Sequence, residues 1–198
     1  DPRVLRVERI AIISRMSEAP VSSRRRSVGF LLRFVVLLIV FYLIVAYGPV
    51  NDAVIVPFTA GIASVSGKAL NALGERAEVV GTEIRSSSFG VNIENGCNGV
   101  ETALLFGAAV LAFPALWSRR LLGLAAGFLA IQVLNLFRVI TLFWIGLHRP
   151  ALFNSSHTVI WQSVVVLFGV LLFLLWASRQ RGLSAEASPS RGERSGRG

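Results

Sequence analysis

Long apolar runs edged by arginine constrain this chain more than any other feature. About 20 apolar residues are needed to cross a hydrocarbon layer of about 30 Å. Four segments qualify or nearly so. The first runs from Phe34 to Tyr47, reached through Phe30 and Leu31, with Pro49 after its end. The second runs from Gly99 to Trp117, the third from Leu121 to Leu147, and the fourth from Thr158 to Ala177. Only 16% of the 198 residues are charged and 54% are hydrophobic. An average soluble domain carries roughly 25% charge, so this balance belongs to a bilayer. The expected fold class is an all-α polytopic membrane protein with about four transmembrane helices, or five to six with a re-entrant or interfacial helix at 51–75, plus a small extracytoplasmic β-hairpin. The predicted organisation is a basic arm over 1–29, a membrane-embedded domain over 30–177 and a disordered tail over 178–198. No small-residue cleavage site follows the first apolar run, which is therefore expected to stay as an anchor.

The arginines set the orientation. Arg24, Arg25 and Arg26 precede the first span, Arg119 and Arg120 separate the second from the third, and Arg179 and Arg181 follow the fourth. Positive residues flanking spans favour the cytoplasmic side, which puts both termini there and 48–98 and 148–157 outside. The basic residues behind the formal net charge of +9 are nearly all Arg and lie in short runs beside apolar segments, so nucleic acid is not an expected partner and membrane lipid is. Within 51–75, Val54, Phe58, Ile62, Val65, Ala69 and Leu73 recur at helical spacing. That pattern predicts an amphipathic helix at the outer surface, with a shallow or re-entrant membrane helix as the alternative. Residues 79–93 alternate around Ser86–Ser88 as a small extracytoplasmic β-hairpin does.

Polar groups within such segments are costly and mark candidate function. Cys97, the only cysteine, lies in Asn95-Gly96-Cys97-Asn98-Gly99 at the outer end of the second span. A helix N-terminus there would favour the thiolate. The bland alternative is a small apolar filler. Arg138 lies deep in the third span and costs roughly 3 kcal/mol unless paired or wetted. With Gln132, Asn135 and Thr141 it forms a slanted polar stripe, and its bland alternative is a snorkelling or bridging role. His157 opens the fourth span and could be a capping or interfacial residue. His148 is read as an interfacial histidine. Counting outward from Arg119–Arg120 at about 1.5 Å per residue puts Cys97 about 34 Å and Arg138 about 28 Å up. His157 begins a descending helix at that level. Glu101, one turn after Cys97, could pair with Arg138 or orient His157, but Asn98 and Glu101 also fit a helix cap.

A thiolate nucleophile, a histidine that shuttles its proton and a permanent positive charge form a set suited to peptide-bond cleavage through a thioester. The order Cys97-Asn98-Gly99, Asn135-Leu136-Phe137-Arg138 and then His157 resembles the exosortase/archaeosortase family of membrane transpeptidases, most like the exosortase H subgroup, over about residues 30–177. The resemblance implies a bacterial inner-membrane enzyme with its site on the periplasmic side. It implies Cys97 as nucleophile, completed by Arg138 and His157 and supported by Asn98, Glu101 and Asn135. Its expected partners are the transmembrane C-terminal sorting tails of secreted proteins and an amine acceptor of unknown identity, with no cofactor. The motif implied for the subgroup is of the Ile-Pro-Thr-Leu type followed by a Trp-Gly pair. Two other readings compete: a membrane cysteine protease that hydrolyses the thioester, and a non-enzymatic assembly or adaptor protein. Cys97, His148 and His157 lack metal-ligand spacing, so no metal is expected.

Overall fold

The computed structural model of the protein describes residue 25 and residues 27–186. The expectations for residues 1–24, Arg26 and residues 187–198 fall outside the described residues. Helix α1 spans Ser27–Ala46 and α2 spans Gly48–Ala72, with a π-helical turn at Asn51–Ile55. A three-stranded antiparallel sheet follows: β1 Glu78–Val80, β2 Glu83–Arg85 and β3 Gly90–Asn92, in the order β1-β2-β3. Helix α3 spans Val100–Ala112 and α4 spans Trp117–His148. The last helical run, α5, begins at Pro150–Ser155, passes through a second π-helical turn at Ser156–Trp161 and continues as Gln162–Glu186. It therefore runs past the boundary expected at 177.

Four helices are long and apolar enough to cross a bilayer: Ser27–Ala46, Gly48–Ala72, Trp117–His148 and Pro150–Gln180. This is a polytopic helical membrane protein. Leu32, Leu43, Leu122, Leu129 and Val133 are more than half exposed on these helices, a surface that only lipid would tolerate.

The four are not the four read from the sequence. The apolar run 99–117 forms a helix of only 13 residues. Pro114 explains the loss, because the residue before a proline is pushed out of the helical region. Phe113 is extended at φ −75 and ψ 136. The run still covers depth: about 20 Å of helix plus up to about 13 Å of extended chain over 113–116. Conversely, most of 51–75 falls in a 25-residue helix, Gly48–Ala72, that meets the length for crossing. Its packing runs along α4 from the middle toward the His148 end. Phe58 meets Phe128, and Ala63 and Leu70 share a buried cluster with Ile84, Ile93, Val139 and Phe143. The expected hairpin is the β2–β3 pair, in register Ile84↔Val91, with β1 added on the far side of β2.

Helix α3 is the buried centre of the bundle, packed between α4 and α5. Phe106, Ala108, Val110 and Ala112 are buried on it. Gly127 of α4 lies under the Phe106 ring and Gly169 of α5 under Thr102, where any Cβ would collide. Small residues of this kind let membrane helices approach closely. Near the arginine-rich end, Phe30, Phe113, Phe173 and Trp176 form an aromatic cluster. The sheet sits at the opposite end. Phe89, in the β2–β3 turn, meets Phe143 edge-on at 5.6 Å and covers Gly146.

Candidate active site

Two glycines shape the loop that carries the cysteine. Gly96 has φ +88 and Gly99 φ +75, conformations that cost other residues a Cβ clash. They flank Cys97 and Asn98 and turn the chain sharply into α3. At Gly99 there is also no room: a Cβ would sit 3.1 Å from Gln132 Nε2 and 3.2 Å from Asn135 Cβ. The Cys97 amide donates to the Glu94 carbonyl at 3.0 Å. Gly99, not Asn98, occupies the cap position of α3. Asn98 is buried, accepts from the Val100 amide at 3.1 Å and donates to Thr59 Oγ1 at 2.9 Å. It ties the loop to α2.

Cys97, Arg138 and His157 come together. Cys97 Sγ lies 2.7 Å from His157 Nε2, and Arg138 Nη2 donates to the same sulfur at 3.7 Å. Arg138 Nη1 donates to the Gly96 carbonyl at 3.4 Å. Arg138 is 2% exposed; it points inward, at the loop, and does not snorkel.

The depths agree for a reason the sequence did not reveal. Arg138 lies 10 residues before the end of α4 at His148, about 15 Å below that end. The descending helical run starts at Pro150, not near Thr158, so His157 is already about 10 Å down it. His157 sits in the π-helical turn Ser156–Trp161, a device that re-aims side chains and often marks functional sites. Phe153 stacks on the His157 ring at 5.9 Å, and Phe89 packs edge-on against Phe153 at 5.5 Å. The sheet thereby braces the imidazole. Neither aromatic residue was singled out from the sequence; the i, i+4 spacing of Phe153 and His157 was the available signal.

Glu101 does not pair with Arg138: the one ion pair among the described residues joins Arg85 and Glu83. The Glu101 carboxylate lies instead beside Gly96. Asn135 is fully buried one turn before Arg138, packed against Gly99, and neither of its amide atoms has a hydrogen-bond partner among the described residues. It supports the loop by contact and does not touch the sulfur. His148 is exposed, bonded to the Trp144 carbonyl and stacked on its ring, away from the site.

Burial pushes the Cys97 thiol above its ordinary range, Arg138 pulls it down, and Glu94 and Glu101 push it up further. Burial outweighs the acidifying helix end expected from the sequence. The sulfur and the imidazole nitrogen face each other at hydrogen-bond distance.

The fold and the site define a class: an integral membrane protein with a Cys–His–Arg constellation at one end of its helical bundle. The family model of the transmembrane exosortases matches residues 24–177. The chain belongs to that family. No curated protein and no solved structure matches it.

Proposed function

We propose that this protein is a membrane cysteine transpeptidase that cleaves the C-terminal sorting tails of secreted proteins. The observation that carries the reading is the 2.7 Å approach of Cys97 Sγ to His157 Nε2 with Arg138 on the same sulfur. His157 Nε2 takes the thiol proton as Cys97 attacks the scissile carbonyl. Arg138 faces the negative charge, first on sulfur and then on the tetrahedral oxygen. His157 returns the proton to the leaving amine, the tail departs and a thioester remains on Cys97. An acceptor amine then resolves the thioester. The family's work on sorting signals fits a substrate anchored by its own transmembrane helix. Its motif would reach the site between α2, the sheet and α5 at the periplasmic face of the inner membrane.

The test is co-expression with a membrane-anchored reporter bearing a Trp-Gly-type sorting tail, read by intact mass. Wild type is expected to remove the tail and add acceptor mass. Cys97→Ala should abolish processing. His157→Ala should slow it about 10²–10⁴-fold and Arg138→Ala about 10²–10³-fold. A tail lost without added mass makes the enzyme a protease. Processing that survives Cys97→Ala overturns the catalytic reading in favour of an assembly role.

A further inference from the structure

A second polar site lies on the α2 side of the cysteine loop. A cavity of about 390 Å³ is lined by Asn51, Thr59, Thr82, Asn92, Glu94 and Asn95, with Val56 and Ile93 as its apolar wall. Its size falls in the range of small-molecule sites. Its walls are tied together: Asn95 Nδ2 donates to Asn51 Oδ1 at 2.9 Å, and Thr82 Oγ1 to Asn92 Oδ1 at 2.7 Å. Thr59 in the lining accepts from Asn98, the neighbour of Cys97. Asn51 belongs to the first π-helical turn of the fold, as His157 belongs to the second. Both π-turns therefore touch the 94–99 loop, the first through Asn51 on Asn95 and the second through His157 on Cys97. Among the lining residues Glu94 is the one charged group, and among the described residues it has no ion-pair partner. Its backbone carbonyl accepts the Cys97 amide at 3.0 Å, so the carboxylate is carried on the same turn as the sulfur.

We propose that this cavity is the acceptor subsite and takes a primary amine with a small polar body, its ammonium held by Glu94. The inference rests on the transpeptidase reading and supplies its missing substrate class. The amide and hydroxyl lining suits the polar body, and the lone carboxylate selects the cation. The bound ammonium must lose one proton, which Glu94 or water accepts. The free amine then attacks the Cys97 thioester, the nitrogen–carbon bond forms and the carbon–sulfur bond breaks. The amine's second proton passes through His157 to the departing sulfur. The products are an amide and a free thiol.

The experiment uses the full chain in phosphatidylcholine vesicles with the tailed reporter and ethanolamine as probe amine. A parallel arm replaces soluble ethanolamine with phosphatidylethanolamine in the vesicle, which separates a lipid headgroup from a free amine. The readout is the fraction of released reporter that carries amine mass rather than water. Glu94→Gln is expected to lower that fraction about tenfold, as loss of one charge-assisted contact does, while Glu94→Asp keeps most of it. An unchanged fraction in Glu94→Gln overturns the proposal. A second measurement needs no cleavage. Ethanolamine should slow iodoacetamide labelling of Cys97, the only cysteine, in wild type and not in Glu94→Gln. Equal protection in both rejects the cavity and leaves the transpeptidase reading standing. Failure of wild type to release the tail at all rejects that reading instead.

Discussion

Burial pushes the Cys97 thiol above its ordinary range, and one arginine draws it down. The sign of its pH response follows. Its pKa is raised, so its intrinsic labelling by iodoacetamide should climb with pH up to and beyond the ordinary thiol range, with no plateau at neutral pH. Arg138→Ala removes the one opposing influence, so labelling at pH 7 should fall severalfold and the curve should move to higher pH. Glu101→Gln should move it the other way. Stopped-time labelling read by mass checks all three. A curve that does not move in Arg138→Ala would contradict the contact at 3.7 Å. The residues themselves were legible in the sequence because an apolar setting makes each polar group conspicuous. The partner choices were less so. Glu101 looked like a mate for Arg138, yet Arg138 turns to Gly96 and the sulfur, because the left-handed glycines bring that loop within its reach.

Elements place these groups through two devices, the glycine-flanked loop and the paired π-turns. Phe153 and Phe89 transmit the sheet's position to His157. Phe153→Ala should leave the membrane fold intact but lower turnover about tenfold or more, since a small misplacement of a catalytic group has large effects. Gly146→Val should drive a side chain into the Phe89 ring and cost about 1–3 kcal/mol, the usual penalty for overpacking. A thermal melt in detergent reads the stability, and reporter cleavage reads the activity. Helix boundaries were the least legible part. Pro114 shortened α3 by its effect on Phe113, and the apolar pattern alone carries no mark of that stop. The π-turn at Ser156–Trp161 left no periodic signature because it replaces one turn only.

At the scale of the whole molecule, the bundle has an arginine end and a site end. Gly123 of α4 lies against Trp176 of α5 near the former, and Phe89 covers Gly146 near the latter. Helix α4 is 32 residues long, about 48 Å, so roughly a third of it exceeds a hydrocarbon layer of about 30 Å. The sheet and the later half of α2 pack on its His148 half, beside Arg138. In a Cys97→Ala background, Ser87→Cys should react with an impermeant maleimide from outside intact cells. Ser118→Cys should react only after permeabilisation. The reverse pattern would contradict the orientation expected from the arginines. The class of the fold was readable because span length and arginine placement are dictated by the bilayer itself. The role of 51–75 was not, because an amphipathic pattern serves equally for a surface helix and for one packed against α4. The central claim is that Cys97 carries the acyl group. The most direct measurement is the intact mass of wild-type enzyme mixed with tailed reporter and quenched in acid without amine. The account predicts an adduct of enzyme plus reporter minus tail, localised to Cys97 and released by hydroxylamine. An enzyme that turns over reporter and never shows that adduct, or shows one on another residue, contradicts it.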